Sequence, residues 1–249
     1  MDHAAPDRPV IGFAHRGARA HAPENTIEAF LTACRMGATA LETDVWLTRD
    51  GIPVLDHDGR VGRFGRSRPI AEVHASELPG HIPSLSELQA SLGTHIRLSI
   101  DVKDPRAIEA IIAVRATAGV EALRHTWLCD PDVDRLARWR RLDPDVRLVA
   151  SERRRHLRRL SLAALAGRGI EVVNLPHRSW TPRLVDDCHR AGLLAFAWGV
   201  QCPARMHRLI GWGIDALYSD HTDRMVAALH TTRTRPVGFT TNPGDPTAR

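Results

Sequence analysis

The sequence lacks the features of membrane-spanning, secreted and disulfide-rich proteins. It has no run of about 18 or more apolar residues, which excludes a membrane-spanning helix. Its four cysteines lie far apart and form no CxxC motif: Cys34, Cys129, Cys188 and Cys202. Their spacing favours neither a disulfide framework nor a zinc site. Because the N-terminus has no apolar stretch after a basic one, we expect no secretory signal and a cytoplasmic location.

Lysine is almost absent from the sequence. Lys103 is the only lysine among 34 basic residues, and the others are arginines, as a genome biased toward arginine codons would produce. With 29 acidic residues the formal net charge is +5 at pH 7, which is compatible with an anionic substrate. Hydrophobic residues at 43% and charged residues at 25% are ordinary values for a globular protein.

Short apolar runs rich in β-branched residues alternate with stretches of helical spacing. The eight runs are 10–14, 41–47, 97–103, 126–129, 146–150, 171–175, 194–200 and 216–219. This alternation predicts parallel strands joined by helices. Eight strands in 249 residues favour an α/β protein with a (β/α)8 TIM barrel over a doubly wound sheet, and no GxGxxG motif follows the first run.

Local signals predict where several helices begin and end. A helix at 26–36 should stop at Gly37, because glycine readily adopts the left-handed conformation. Ser84 and Glu87 have the spacing of a capping box, which predicts a helix from there toward Gly93. Four prolines stand where a first helical turn would begin: Pro105, Pro131, Pro182 and Pro203.

Three regions depart from the strand–helix pattern. Residues 48–56 predict a turn and a short extra strand, a small insertion after strand two, and 59–83 predict a long loop. Residues 231–249 are rich in Thr, Pro and Gly, and we expect a disordered tail there. The remaining chain, 1–230, is expected to form a single domain.

Ionisable side chains concentrate near the ends of the first three predicted strands. They are His15, Arg16, Glu42, Asp44, His57, Asp101 and Lys103. Residues i and i+2 of a strand share a face, so Glu42 and Asp44 point the same way, as do Asp101 and Lys103. A lone carboxylate or histidine is usually structural, but barrel enzymes keep their sites at this end of the strands.

Together these side chains suit phosphodiester cleavage. Three carboxylates offer hard oxygen ligands to a divalent cation such as Mg²⁺ or Ca²⁺. Two histidines supply a general acid and a general base. Two cationic side chains suit the negative oxygens of a phosphate.

Several motifs, in order and spacing, resemble the glycerophosphodiester phosphodiesterase family. The motifs are His15-Arg16-Gly17, Pro23-Glu24-Asn25-Thr26, Glu42-Thr43-Asp44, Thr48-Arg49-Asp50-Gly51 and His57-Asp58. Further segments extend the resemblance over roughly 10–230, including 82–88 before strand three and 197–200 and 213–220 around the last two strands. The resemblance implies a (β/α)8 barrel that hydrolyses glycerophosphodiesters to sn-glycerol 3-phosphate and an alcohol.

The resemblance also implies roles for individual residues. Glu42, Asp44 and Asp101 match the family's ligands for one divalent cation, Mg²⁺ or Ca²⁺, although Asp101 stands where the family usually has Glu. His15 and His57 match the acid–base pair. Arg16 and Lys103 match the phosphate-binding side chains. Trp198, at the predicted mouth of strand seven, is a candidate for packing on the glycerol backbone, with an ordinary structural aromatic as the alternative.

Two other functions stay open at this point. A phospholipase D-like or phosphatidylinositol-cleaving enzyme acting on lysolipids would use a similar barrel, but the signal peptide and disulfides of its secreted members are not seen here. A non-catalytic protein that binds anionic ligands or nucleic acid would use the arginine cluster within 153–159. Because such a cluster on a helix more often forms a solvated face, we expect a small-molecule partner and no nucleic acid. The sequence does not decide the oligomeric state.

Overall fold

Eight parallel strands close into a barrel within the residues that the computed structural model describes, which are 9–62, 67–93, 96–151 and 161–233. The strands are β1 (Ile11–His15), β2 (Ala40–Leu47), β3 (Pro53–Leu55), β4 (Arg60–Val61), β5 (Arg68–Pro69), β6 (Arg97–Val102), β7 (Thr126–Asp130), β8 (Arg147–Ser151), β9 (Val172–Pro176), β10 (Leu194–Trp198) and β11 (Ala216–Ser219). The barrel order is β1-β2-β6-β7-β8-β9-β10-β11, and β11 pairs with β1 to close it. The predicted TIM barrel is confirmed, and each predicted run coincides with a barrel strand to within two residues.

Helices cover the outside of the barrel between successive strands. In the described part of the chain they are α1 (Ile27–Arg35), α2 (Leu85–Leu92), α3 (Ile108–Ala116), α4 (Val120–Arg124), α5 (Val133–Trp139), α6 (Leu162–Gly167), α7 (Pro182–Arg190), α8 (Pro203–Gly211) and α9 (Thr222–Arg233). The main hydrophobic core lies between these helices and the outward faces of the strands.

Most predicted helix ends are confirmed. Thr26 caps α1 by accepting a hydrogen bond from Ala29 N, and the capping box of Ser84 and Glu87 opens α2. Pro182 and Pro203 begin α7 and α8, and Pro105 begins a short 3-10 turn before α3.

The placement of Pro131 in a first helical turn was wrong. Asp132 accepts hydrogen bonds from the backbone N–H groups of Asp134 and Arg135, so Asp132 is the cap residue of α5. The helix therefore starts at Val133, and Pro131 lies before the cap.

The insertion after β2 contains the predicted extra strand. β3 pairs antiparallel with β2, extending the sheet by one strand beside the barrel. The predicted loop over 59–83 has short elements of its own: the β4–β5 pair and two 3-10 turns, Ile70–Glu72 and Ala75–Glu77.

Aromatic residues fill the inside of the barrel below its C-terminal end. Phe13 stacks on Tyr218 with ring centroids 4.7 Å apart, and Trp127 lies 5.2 Å from Phe196. All four side chains are buried. This apolar layer shields the polar side chains above it from water on one side, which raises the cost of burying charge there.

Parts of two predictions lie outside the described residues. The arginine cluster of 153–159 falls within 152–160, and the predicted tail continues beyond Arg233. Helix α9 runs to Arg233, three residues into the stretch expected as a tail. No helix in the described part of the chain is long and apolar enough to cross a membrane.

Candidate active site

A cavity of about 550 Å³ opens at the C-terminal end of the barrel. One wall carries ionisable side chains: His15, Arg16, Arg19, Glu42, Asp101 and Asp220. Neutral residues line the side formed by β7 to β10: Pro131, Ser151, Asn174, Trp198 and Gly199. Gln201 also lines the cavity, next to Asp220. Ser99, Cys129 and Tyr218 complete the lining. Five of the eight predicted site residues therefore line one cavity, and the remaining three are Asp44, His57 and Lys103.

His15 is held at the end of β1 by two carboxylates. Its Nδ1 lies 2.5 Å from Asp220 Oδ1, and its Nε2 lies 3.7 Å from Glu42 Oε2. Burial opposes the charged imidazole, but Glu42 and the hydrogen bond with Asp220 outweigh that effect and raise the pKa of His15. Burial alone would raise the pKa of Asp220, yet its contact with His15 lowers it. The two shifts agree on a charged His15–Asp220 pair.

Glu42 is a buried carboxylate, only 6% exposed. The pKa of Glu42 is raised to about 7: burial and the negative charges of Asp44 and Asp101 raise it, and they outweigh the positive charge of His15 and the hydrogen bond from Arg16 N, which lower it. The backbone N–H of Arg16 donates to Glu42 Oε2 at 2.9 Å. The carboxylates of this wall therefore lie close enough to repel one another.

Arg16 reaches this position through a left-handed backbone conformation, with φ at +52°. That conformation turns its N–H toward Glu42, and its Nη1 donates to Glu24 Oε1 at 2.9 Å. Its Nε lies 3.0 Å from Asp44 Oδ2, but the N–H is not directed at that oxygen. The next residue has to be glycine, because a Cβ on Gly17 would lie 2.7 Å from the carbonyl carbon of Ala29.

Asp44 and Asp101 share one cation, Lys103. The two aspartates are aligned partners on β2 and β6, and Lys103 Nζ lies 3.1 Å from Asp44 Oδ1 and 2.6 Å from Asp101 Oδ2. Burial would lower the pKa of Lys103, but the two carboxylates raise it above its ordinary value. Asn25 Nδ2 donates to Asp44 Oδ2 at 3.0 Å. Lys103 thus contacts carboxylates, and it does not line the cavity.

The three carboxylates fit a hard divalent cation in their donor chemistry. They are oxygen ligands, and after burial the negative charges of Asp44 and Asp101 help to raise the pKa of Glu42, so the three groups lie near one another. In the described part of the chain, however, no three His, Cys, Asp or Glu side chains form a preassembled metal cluster. Lys103 lies between Asp44 and Asp101.

His57 lies on the segment after β3 and is not part of the cavity lining. Its Nδ1 lies 2.7 Å from Asp58 Oδ1, and its side chain is 38% exposed. Two contacts hold this segment near the site: Asp56 N donates to the carbonyl oxygen of Asp44 at 3.2 Å, and Trp46 Nε1 donates to that of His57 at 3.4 Å.

Two residues of the site were missed from sequence. Asp220 and Asn25 were noted only as parts of the motifs at 213–220 and 23–26. The structure brings Asp220 against His15 across 205 positions of sequence, and Gln201 Oε1 accepts from Asp220 N at 3.0 Å. Thr43 Oγ1 donates to Asn25 Oδ1 at 2.8 Å, which orients the amide toward Asp44.

Comparisons with known proteins identify the family of the chain. The sequence profile of the "Glycerophosphoryl diester phosphodiesterase family" matches residues 15–224. The chain belongs to this family. It is 31% identical to "Probable glycerophosphodiester phosphodiesterase 2" of Mycobacterium tuberculosis, over 86% of this chain and 88% of that one. It is 25% identical to a glycerophosphodiester phosphodiesterase of Caldanaerobacter subterraneus, over 87% of this chain and 96% of that one.

Solved structures show the same fold. The crystal structure of a glycerophosphodiester phosphodiesterase from Thermotoga maritima superposes with a TM-score of 0.75 at 23% identity, covering 91% of this chain and 99% of that one. The resemblance seen in the short motifs is therefore confirmed, and the chain is an enzyme of the glycerophosphodiester phosphodiesterase family.

Proposed function

We propose that this enzyme hydrolyses glycerophosphodiesters to sn-glycerol 3-phosphate and an alcohol in the cavity of the barrel. The observation that carries the proposal is the charged wall, where β1, β2 and β6 bring a histidine, an arginine and carboxylates together. The family's activity on glycerophosphodiesters supports the same conclusion. The four free cysteines support the expected cytoplasmic location.

In this mechanism, His15 exchanges a proton with the substrate through Nε2. Asp220 occupies Nδ1, so Nε2 is the ring nitrogen left for the substrate side, as in other sites where a carboxylate orients an imidazole. His57 is the second proton-transfer group, on the segment anchored to β2. One histidine accepts a proton from the attacking group, a glycerol hydroxyl or water, and the other gives one to the departing alcohol. When the glycerol hydroxyl attacks, a water molecule then opens the cyclic phosphate to give glycerol 3-phosphate.

Cationic side chains bind the phosphoryl group. Arg16 lines the cavity, and its guanidinium can donate two parallel hydrogen bonds to phosphate oxygens. Lys103 adds a second positive charge, which stabilises the negative charge that develops on the phosphoryl group in the transition state. A divalent cation, Mg²⁺ or Ca²⁺, would be held by Glu42, Asp44 and Asp101 and supply Lewis-acid neutralisation of the phosphate. Trp198, 38% exposed at the end of β10, offers an apolar surface to the substrate's carbon chain.

The test is the release of sn-glycerol 3-phosphate from glycerophosphocholine, measured with a coupled dehydrogenase. Chelation should abolish the activity and added Mg²⁺ or Ca²⁺ should restore it. His15→Ala and His57→Ala should each lower turnover about 10²–10⁴-fold. His81→Ala is the control, because His81 is exposed and lies outside the site.

Three results would contradict the proposal. Absence of glycerol 3-phosphate release with metal present rules out the reaction, and preferential cleavage of a lysophospholipid favours the lipid-cleaving alternative. Full activity after exhaustive chelation removes the metal from the mechanism.

A further inference from the structure

The end of the barrel opposite the cavity carries positive charge on its inner face. Arg97 and Arg147 are the first residues of β6 and β8, so they lie at the N-terminal end of these strands. Alternate residues of a strand share a face. Arg97 therefore points inward like Ser99, and Arg147 points inward like Ser151, because both serines line the cavity. The two arginines stand on either side of β7, which lies between β6 and β8.

A buried indole N–H without an acceptor lies beside them. Trp127 on β7 is aligned with Arg147, whose guanidinium carbon lies 5.0 Å from the centroid of the indole ring. Trp127 is only 5% exposed, and its Nε1 is buried and donates to no described residue. A buried donor without an acceptor is destabilising, and native proteins keep few of them. The indole N–H therefore points to an acceptor that a ligand supplies.

No carboxylate in the described part of the chain pairs with either arginine. The side chain of Arg97 makes no hydrogen bond to a described residue, and that of Arg147 donates to the carbonyl oxygen of Arg124 at 3.2 Å. Two acidic residues near this end, Glu121 and Asp145, both accept hydrogen bonds from Arg124. Arg97 and Arg147 are partly buried, so their charges are costly without a counter-ion.

His125 lies next to the same cluster. Its carbonyl oxygen accepts a hydrogen bond from Leu98 N at 2.8 Å, which holds it beside the start of β6. Burial lowers the pKa of its imidazole, and neighbouring arginines that include Arg97 and Arg147 lower the pKa further, against the opposing charge of Glu121. Positive charge therefore dominates this end of the barrel.

The remaining inner face at this end is apolar and includes Ile11, Ala40, Leu194 and Ala216. It offers no counter-ion to the arginines. Ile11 and Leu194 are partly exposed, so solvent and small solutes reach this end of the barrel.

We propose that Arg97, Arg147 and Trp127 bind a phosphate group at the N-terminal end of the barrel, in a site separate from the cavity. Guanidinium groups donate paired hydrogen bonds to phosphate oxygens, and the indole adds another donor. Two positive charges match the charge of about −1.5 to −2 that a phosphate group carries at pH 7. The group belongs to inorganic phosphate or to a phosphate monoester such as glycerol 3-phosphate, and the experiment separates these two sources.

Two indole signals report the two ends of the barrel separately. The Nε1–H resonances of Trp127 and Trp198 are assigned in ¹H–¹⁵N spectra with Trp127→Phe and Trp198→Phe. Inorganic phosphate is then titrated at constant ionic strength, with chloride as the balancing anion. The Trp127 signal should move and saturate as its N–H gains an acceptor, whereas the Trp198 signal reports binding in the cavity.

Three variants test the assignment. Arg97→Gln and Arg147→Gln should each weaken the binding seen at Trp127 by at least about 10-fold, because each removes a charge-assisted hydrogen bond. Arg183→Gln is the matched control: it makes the same charge change at a side chain that is 91% exposed, and should leave the Trp127 titration unchanged. Circular dichroism and Tm establish that each variant is folded, and Arg97→Gln alone decides if Arg147→Gln does not fold.

The proposal is overturned if phosphate leaves the Trp127 signal in place or if added chloride moves it equally. Movement of the Trp198 signal alone confines phosphate to the cavity and overturns it too, as does an unchanged titration in Arg97→Gln. The same titration with glycerol 3-phosphate identifies the source. Tighter binding than inorganic phosphate assigns the site to phosphate monoesters and the reverse order to free phosphate, and both results support the site.

Discussion

Replacing Lys103 by arginine tests whether turnover depends on the position of the positive charge or only on its presence. The ammonium of Lys103 contacts two carboxylates that are aligned on neighbouring strands, at 3.1 Å and 2.6 Å. An ammonium is compact and can lie between them, whereas a guanidinium is wide, planar and forked. An arginine here would keep one carboxylate contact and push its head group toward the substrate.

The expected stability changes follow from these two contacts. A hydrogen bond to a charged group contributes about 1.5–3 kcal/mol. Lys103→Met removes both contacts. Because the side chain is 24% exposed and Asp44 keeps its hydrogen bond from Asn25, we expect the free energy of unfolding to fall by about 2–4 kcal/mol. Lys103→Arg should lower the free energy of unfolding by about 1–2 kcal/mol. For a chain of this size that is a decrease in Tm of roughly 2–8 °C.

The assay combines glycerophosphocholine turnover with thermal unfolding followed by circular dichroism. Lys103→Arg should lose about 10²-fold in kcat, almost as much as Lys103→Met, because correctly placed positive charge is what stabilises the transition state. Arg106→Lys is the control: Arg106 pairs with Asp104 on the loop after β6, and its side chain is 68% exposed. Near-normal turnover of Lys103→Arg would show that charge alone suffices and would refute this reasoning.

Three more predictions concern the rest of the fold and site. Asp220→Asn removes the carboxylate that contacts the imidazole of His15. If His15 transfers a proton as proposed, kcat should fall about 10–100-fold with little change in KM, and equal changes in kcat and KM would argue for a substrate-binding role. Gly59→Ala should lower the free energy of unfolding by about 2–4 kcal/mol, because a Cβ would lie 2.3 Å from Trp46 Cε2 at a φ of +68°. Gly51→Ala is the control: it has open space at a φ of +81°, so its smaller loss of stability isolates the effect of the clash. Burial and neighbouring arginines lower the pKa of His125 below its ordinary value of 6.5, so the unfolded chain binds more protons and stability falls as the pH drops below 6.5. His125→Gln should weaken this pH dependence of Tm between pH 7.5 and 5.5; an unchanged slope would assign it to other groups.

The sequence alone determined the architecture and the charged wall of the site. Hydrophobic alternation is a local property of each strand, so eight strands were found with boundaries correct to within two residues. The face shared by residues i and i+2 is equally local, which is why the sequence predicts that Glu42 and Asp44 point the same way. Cap chemistry also acts over three or four residues, and Ser84 and Glu87 could be recognised without knowing the fold.

Only the tertiary structure decided the contacts that depend on barrel closure and register. Asp220 meets His15 because β11 pairs with β1, a contact between residues 205 positions apart that no local pattern encodes. The register of β8 with β9 places Ser151 beside Asn174, two residues with no motif of their own. Lys103 was expected at the phosphate, but cross-strand alignment places it between two carboxylates. Strand pattern specifies which face a side chain occupies, and the shift between neighbouring strands, which is set by packing of the whole barrel, selects its partners.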